Sequence, residues 1–309
     1  MANTKDIQRR IKSIASTKKI TRAMEMVAAA KMRKAVESTL ATRTYANLSW
    51  ETLINLTRGG ATHPLLEKRE KLNKQAIVVI TSNRGLCGGF NSLLMSLVRA
   101  TVANSNLETD IILIGKKGES LTNYFPVVAQ FPYPEAAVEA SDVAPIISFI
   151  SEAYLEKKYD QVLVAYSDFI NAVKQVPKIR PFLPIMPSAD LDGLGIISAE
   201  DKVGSTEEFI EAKAQKHSHR EKYNFEYQFE PKPRAVLDAI VPRLLEIQLY
   251  QAFLESSASE HSARMSAMHQ ATQAANDLGV ELTLSYNKAR QSAITAEIAE
   301  ITAGVAALN

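Results

Sequence analysis

The chain has 309 residues and a single cysteine, Cys87. No disulfide can form within it, which fits a reducing compartment. No apolar run approaches the ~18 residues that a membrane span needs. The opening MANTKDIQRR lacks the apolar core of a signal peptide, so none is expected. Breakers are missing from both ends. Positions 1–58 hold neither glycine nor proline, and 243–309 hold no proline and only Gly279 and Gly304. Aromatics are scarce there too. Nine of the ten phenylalanines lie between Phe90 and Phe229, and the ends carry only Tyr45, Trp50, Tyr250, Phe253 and Tyr286. The bulky packing therefore belongs to the middle, and the ends are slim. A charged fraction of 23% and a net charge of +2 are ordinary for a water-exposed globular chain of one or two domains.

What fills the ends is helical periodicity. Ile240, Leu244, Ile247, Leu254, Ala258, Met265, Met268, Ala275, Leu282, Ala289, Ala293 and Ala296 recur at three- and four-residue intervals, a heptad-like seam. As one helix, 236–308 would extend on the order of 110 Å at about 1.5 Å per residue. A domain of this size is only roughly 40 Å across, so such a helix needs a sheath. At the other end Ile7, Ile11 and Ile14 open a similar stripe. Ile20, Met24 and Val27 continue it on a shifted face, then Ala28, Ala29, Ala30, Met32, Ala35 and Val36. Gly59, Gly60 and Pro64 end that run. Two narrow stripes at opposite termini bury each other most economically as an antiparallel coiled coil. Past about Leu282 the second helix is expected to outrun its partner.

In the middle the period changes. β-branched runs at 75–82, 110–115, 127–131 and 160–169 alternate with helical patterns at 93–104 and 145–157. That alternation indicates a mostly parallel α/β sheet. Pro177, Pro181 and Pro184 make 175–185 an edge strand or extended arm. The segment 224–230 alternates and reads as a last strand. Between them, 189–223 reads as an exposed insertion with one short helix at 206–216. The fold class is therefore α/β: a long antiparallel coiled coil of the terminal helices plus a central Rossmann-like α/β domain. The expected divisions are 1–58, 74–231 and 232–309, with Pro231 and Pro233 breaking the chain at the last boundary.

The chemistry-bearing patterns are weak. Arg84-Gly-Leu-Cys-Gly-Gly-Phe90 follows a strand and precedes a helix, as phosphate loops do. It matches neither GxxxxGK[ST] nor GxGxxG, so a tight glycine turn is favoured. Cys87 has no identifiable His–acid pair and reads as a packed thiol. His261 and His269 are too far apart for joint ligation, and no metal or other cofactor is assigned. Between Lys5 and Lys34 there are ten Lys or Arg residues and two acids, Asp6 and Glu25. This run fits a solvated face, nucleic acid or acidic lipid. A third reading fits better: Lys18, Lys19 and Arg22 interrupt the stripe while Met24, Met26 and Val27 occupy other faces, which suits contact with a changing protein surface. The stretch 286–301 mixes polar and small apolar residues all round, as helices enclosed by partners do.

Three segments together resemble one family. They are 7–35 (IQRRIKSIASTKKITRAMEMVAAAKMRKA), 84–91 (RGLCGGFN) and 255–301, which begins ESSASEHSARMSAM. They are similar to the gamma subunit of F-type ATP synthase over the whole chain except 189–223. The resemblance implies a non-catalytic rotor shaft that couples rotation of a proton-driven c ring to ATP synthesis or hydrolysis. It implies alpha, beta and epsilon subunits and the c ring as partners, with no nucleic acid and no small-molecule substrate of its own. It implies a peripheral position at the cytoplasmic face of a bacterial inner membrane. By the same resemblance Lys18, Lys19, Arg22 and Met24 face an acidic loop of beta, and Arg264 and Gln291 grip another beta loop. Two departures stand out. Thr81-Ser82-Asn83 replaces an acid that the family often has before the arginine. The insertion has no cysteine pair, which excludes the thiol regulation of chloroplast members. A nucleotide-using enzyme and a basic coiled-coil adaptor remain as alternatives.

Overall fold

The computed structural model describes residues 4–58, 62–135, 138–186, 230 and 232–308. The insertion read at 189–223, its helix at 206–216 and all but Glu230 of the strand read at 224–230 lie outside these residues. The chain divides into two compact units, 1–29 with 264–309, and 30–263.

The unit at 30–263 is built on a five-stranded sheet. Its strands are β1 (Lys74–Ile80), β2 (Glu108–Ile114), β3 (Val127–Phe131), β4 (Gln161–Phe169) and β5 (Gln175–Leu183). The order is β3-β2-β1-β4-β5, with the first four parallel and β5 antiparallel at the edge. The prolines of β5 decide its place, since a proline cannot donate to a ladder on both sides. Helix α2 (Phe90–Ala103) follows β1, and α3 (Ala140–Leu155) precedes β4. The long terminal helices are α1 (Thr4–Arg58) and α4 (Pro233–Leu308).

Strand alternation sorts the core into two layers. Ile77, Val79, Ile111 and Leu113 pack with Leu94 and Val98 of α2. Ala76, Val78, Ile80, Ile112 and Ile114 face the other way. They meet Ile146 and Ile150 of α3, Trp50, Leu53 and Leu56 of α1, and Leu237 to Leu254 of α4. β1 and β2 are thus buried on both faces, which is why they read as continuous apolar runs. Each fully buried Ile, Val or Leu here contributes about 1.5–3 kcal/mol.

Three boundaries differ from the sequence reading. α2 starts at Phe90 rather than 93, because the turn before it closes at Gly89. α3 starts at Ala140, five residues before Pro145. The Glu139 amide donates to Asp142 Oδ2 at 2.8 Å and caps the first turn, so Pro145 sits inside the first turns rather than opening them. Pro233 does not break the chain: it is the first residue of α4, where a missing N–H costs nothing. Pro242 is also accommodated within α4, on an exposed position.

The β2 end is fixed by close approach to β1. Gly115 has φ +85°, and a Cβ there would lie 2.3 Å from the Thr81 carbonyl oxygen. At the opposite end of the sheet, Asp160 Oδ2 accepts from the amides of Asn73 at 2.8 Å and Lys74 at 3.0 Å. Those two bonds hold its carboxyl below the usual value of 3.8.

Gly115→Ala should lower unfolding stability by more than about 2 kcal/mol through strain and overlap with Thr81, measured by denaturant titration. Asp160 gives a pH test. Its folded pKa lies below the unfolded one, so its contribution is present above the unfolded value and is lost as pH falls through the folded value. Asp160→Asn should therefore destabilise the chain at pH 7 in denaturant titration, and less so at an acid pH below the folded pKa. An equal cost at both pH values would show that the charge plays no part.

Candidate functional site

Four of the six candidate residues lie on α1 in the unit formed by 1–29 and 264–309, where α1 and α4 pair. Four contacts set the register. Lys18 Nζ donates to Asn276 Oδ1 at 2.6 Å. Thr272 Oγ1 donates to Thr21 Oγ1 at 2.8 Å. His269 Nδ1 lies 3.2 Å from Glu25 Oε1. A Cβ on Gly279 would lie 3.9 Å from Ile14 Cγ2. Numbers rise along one helix as they fall along the other, so the helices run antiparallel.

Burial traces the seam. On α1, Ile7, Thr21 and Ala28 are buried and Ile11, Ile14 and Glu25 half-buried. With Lys18 they form an unbroken alternation of four- and three-residue steps. On α4 the matching series is Met268, Thr272, Ala275, Gly279, Leu282, Tyr286 and Ala289. This is a heptad seam on both sides. Its centre is a polar layer, with Lys18, Thr21 and Glu25 on one side and Asn276, Thr272 and His269 on the other.

The sequence reading followed hydrophobicity and left the seam here. Ile20 and Val27 do not continue it: both are 57% exposed. The stripe does not shift face. It runs on through polar residues at the same spacing, which only position could reveal. Ala293 and Ala296 are exposed and are not seam residues either. The overrun of α4 begins after Ala289, not near Leu282, because Tyr286 and Ala289 still hold half-buried positions. Ile294, Ile298 and Ile301 beyond it are 48%, 59% and 63% exposed.

Electrostatics adds a local pair. Arg22 Nη1 sits 2.8 Å from Glu25 Oε1. Burial pushes the Glu25 carboxyl up, but hydrogen bonds from Arg22 and His269 outweigh it and leave the group below its ordinary range. Lys18 and Arg22 are thus engaged within the chain. Lys19 is exposed, and Met24 is half-buried beside them. Arg264 is buried and Gln291 is exposed. These two lie about seven turns apart on one helix and do not meet.

The glycine turn belongs to the other unit. Ser82 N–H donates to Asn91 Oδ1 and Ser82 Oγ to the Arg84 carbonyl. Asn91 Nδ2 approaches the buried Cys87 Sγ at 3.3 Å. Gly88 has φ +56° and supplies the turn. Ser82 and Asn91 close on each other within the loop, Asn83 Nδ2 reaches out to the Tyr133 carbonyl, and Cys87 is packed. Among the described residues, no group of three or more His, Cys, Asp or Glu side chains could hold a metal ion. No described helix is long and apolar enough to cross a membrane.

The family described as ATP synthase matches residues 3–308. The ATP synthase gamma chain of Herpetosiphon aurantiacus is 38% identical, with all of both chains covered. The chain belongs to the ATP synthase gamma-chain family. Solved structures share the fold. A chain of the Euglena gracilis mitochondrial ATP synthase, from a structure of OSCP, F1 and c-ring, aligns with TM-score 0.65 and 21% identity. It covers 99% of this chain and 94% of that one. A chain from the central stalk and c-ring structure of the Tetrahymena thermophila enzyme aligns with TM-score 0.56 and 24% identity, over 82% and 99%. A gamma-chain fold thus accounts for the terminal helices and the central sheet together.

The polar layer can be measured by a double-mutant cycle on Thr21→Val and Thr272→Val. Each single change should cost about 1 kcal/mol, and the double about 0.5–1 kcal/mol less than their sum. Strict additivity would mean that the two hydroxyls do not act on each other.

Proposed function

We propose that this gamma chain is the central rotor shaft of an F-type ATP synthase. It carries rotation of a proton-driven c ring to the alpha/beta catalytic ring and so couples proton translocation to ATP synthesis or hydrolysis. One observation carries this reading. Family membership spans the whole chain, including the part of α4 past Ala289, where three isoleucines in a row at helical spacing lie exposed. Apolar side chains so placed call for a cover from outside. The similar Euglena chain was solved together with F1 and a c-ring in one assembly.

The chain contributes no catalytic group on this reading. The loop at 84–90 matches no phosphate-binding pattern, which supports that, and Ser82 beside it spends its amide and hydroxyl on Asn91 and Arg84. The division is into helices at 1–58 and 232–309 for contact with the ring and an α/β segment at 74–231 for contact with epsilon and the c ring. The chain sits peripherally at the cytoplasmic face of a bacterial inner membrane, held there by the complex. Lys18, Lys19, Arg22 and Met24 face an acidic loop of beta, and Arg264 and Gln291 contact a second beta loop. Lys19 is the residue of this basic set most available to a partner, because Lys18 and Arg22 already have contacts within the chain.

Reversing charge at Lys18, Lys19 and Arg22 together should leave the chain in the complex but reduce ATP-driven proton pumping in membrane vesicles. Lys19→Glu alone should account for most of the loss. Pumping that stays at the unmodified level with the triple variant incorporated would remove the basic set from coupling.

A further inference from the structure

Within the unit at 30–263, α4 does something unusual for a helix: every residue from Gln251 to Glu260 is buried. That stretch is not apolar. It includes Gln251, Glu255, Ser256, Ser257, Ser259 and Glu260. The buried Ser256 hydroxyl has no hydrogen-bond partner among the described residues, but Ser259, and Ser262 one turn on, reach a specific neighbour. The neighbour is the β4–β5 hairpin. Ser259 Oγ, fully buried, donates to the Ser167 carbonyl at 3.0 Å. Ser262 Oγ donates to the Ala172 carbonyl at 2.6 Å. Gln175 Nε2 donates to Ser262 Oγ at 3.2 Å and to the Asn171 carbonyl at 3.2 Å. Further back, Glu255 is hydrogen-bonded to Tyr166, whose hydroxyl burial holds well above its ordinary pKa. Ala258 packs with Phe169 at the end of β4 and with Met32, Ala35 and Val36 of α1.

The two sides of this helix stretch do different jobs. Contact with α1 is small and apolar, and such contacts lack direction and tolerate sliding. Contact with the hairpin adds, to the apolar packing of Phe169, short hydroxyls on backbone carbonyls of β4 and of the turn after it. Those bonds have a preferred distance and angle, and the Ser259 bond is buried from water while the Ser262 bond is partly so. Rotating or sliding α4 against the hairpin would break them. Serine is the smallest side chain that can do this, and steps of three at 259 and 262 keep both hydroxyls on one face.

We propose that Ser259 and Ser262, with Gln175, form an anti-slip clamp that fixes the α/β sheet to α4 and lets the chain bear torque. The inference rests on the rotor reading. Ser259, Ser262 and Gln175 are positioning residues; none touches a nucleotide.

The test uses the assembled complex in inverted membrane vesicles, comparing S259A/S262A with the unmodified chain. ATP hydrolysis should stay within about twofold. Pumping per ATP hydrolysed should match the unmodified complex without a load and fall about threefold or more against an opposing proton gradient, as expected when the three hydrogen bonds made by these two hydroxyls are lost. A merely structural role predicts a lower melting temperature and lower incorporation with an unchanged pumping ratio at every load, and that result would overturn the clamp. If the double variant does not assemble, Gln175→Leu, at a half-buried position, removes the bond to Ser262 together with the one to the Asn171 carbonyl. A load-dependent loss supports the proposal, and a ratio unchanged under load refutes it. The rotor reading is checked separately by comparing vesicles whose complex holds the unmodified chain with vesicles that lack the chain. Pumping that persists without this chain sinks that reading, whereas a failed serine test beside normal chain-dependent pumping sinks only the clamp.

Discussion

Packing between α4 and its neighbours is the constraint on which the rest of this structure depends. The helix has almost no amphipathic face of its own to offer. In one part of its length it is buried on every side. Further along it presents a seam to α1, and after Ala289 the described residues give it no cover. A helix with such changing demands cannot be stabilised by one apolar stripe. Each stretch solves its problem with different side chains. Leu237 to Leu254 supply bulk against the sheet, Ser256 to Ser262 supply close approach and hydrogen bonds, and Met268 to Ala289 supply a narrow heptad.

How much of this was visible in the sequence depends on which signal each element uses. The strands were legible because β1 and β2 are buried on both faces, and that leaves runs such as Ala76–Ile80 that no other element needs. The edge position of β5 was legible because proline excludes the alternatives. Helix starts were less so: α3 begins at a side-chain cap between Glu139 and Asp142, and the eye goes to Pro145 instead. The seam was half legible. On α4 it follows hydrophobicity through Met268, Ala275, Leu282 and Ala289, and on α1 from Ile7 to Ile14, but the centre of the α1 side follows only position. There the search for apolar residues moved to Ile20 and Val27, which point to solvent.

The basic run near the N-terminus shows the same limit in charge. Ten cations over 5–34 look like one patch. The structure separates them by what they touch. Lys18 reaches across to Asn276, Arg22 folds back on Glu25, and Lys19 is exposed. Charge counted along the chain says nothing of that division, since it arises from which residues happen to fall on the seam. The serines at 259 and 262 were likewise hidden, because a serine in a helix ordinarily signals nothing more than a weak helix former.

The heptad register has a consequence for how this chain can vary in length. Each residue added to α1 before Ala28, or to α4 after Met265, would turn everything beyond it by about 100° and take it off the seam. Only additions that restore the seven-residue repeat on both helices at once would keep Thr21 opposite Thr272. The middle of the chain carries no such rule. Residues gained or lost between β5 and Pro233 leave both helices, and the match between them, as they were. The ends of the chain are held to a count, while the stretch before α4 is free to change in size.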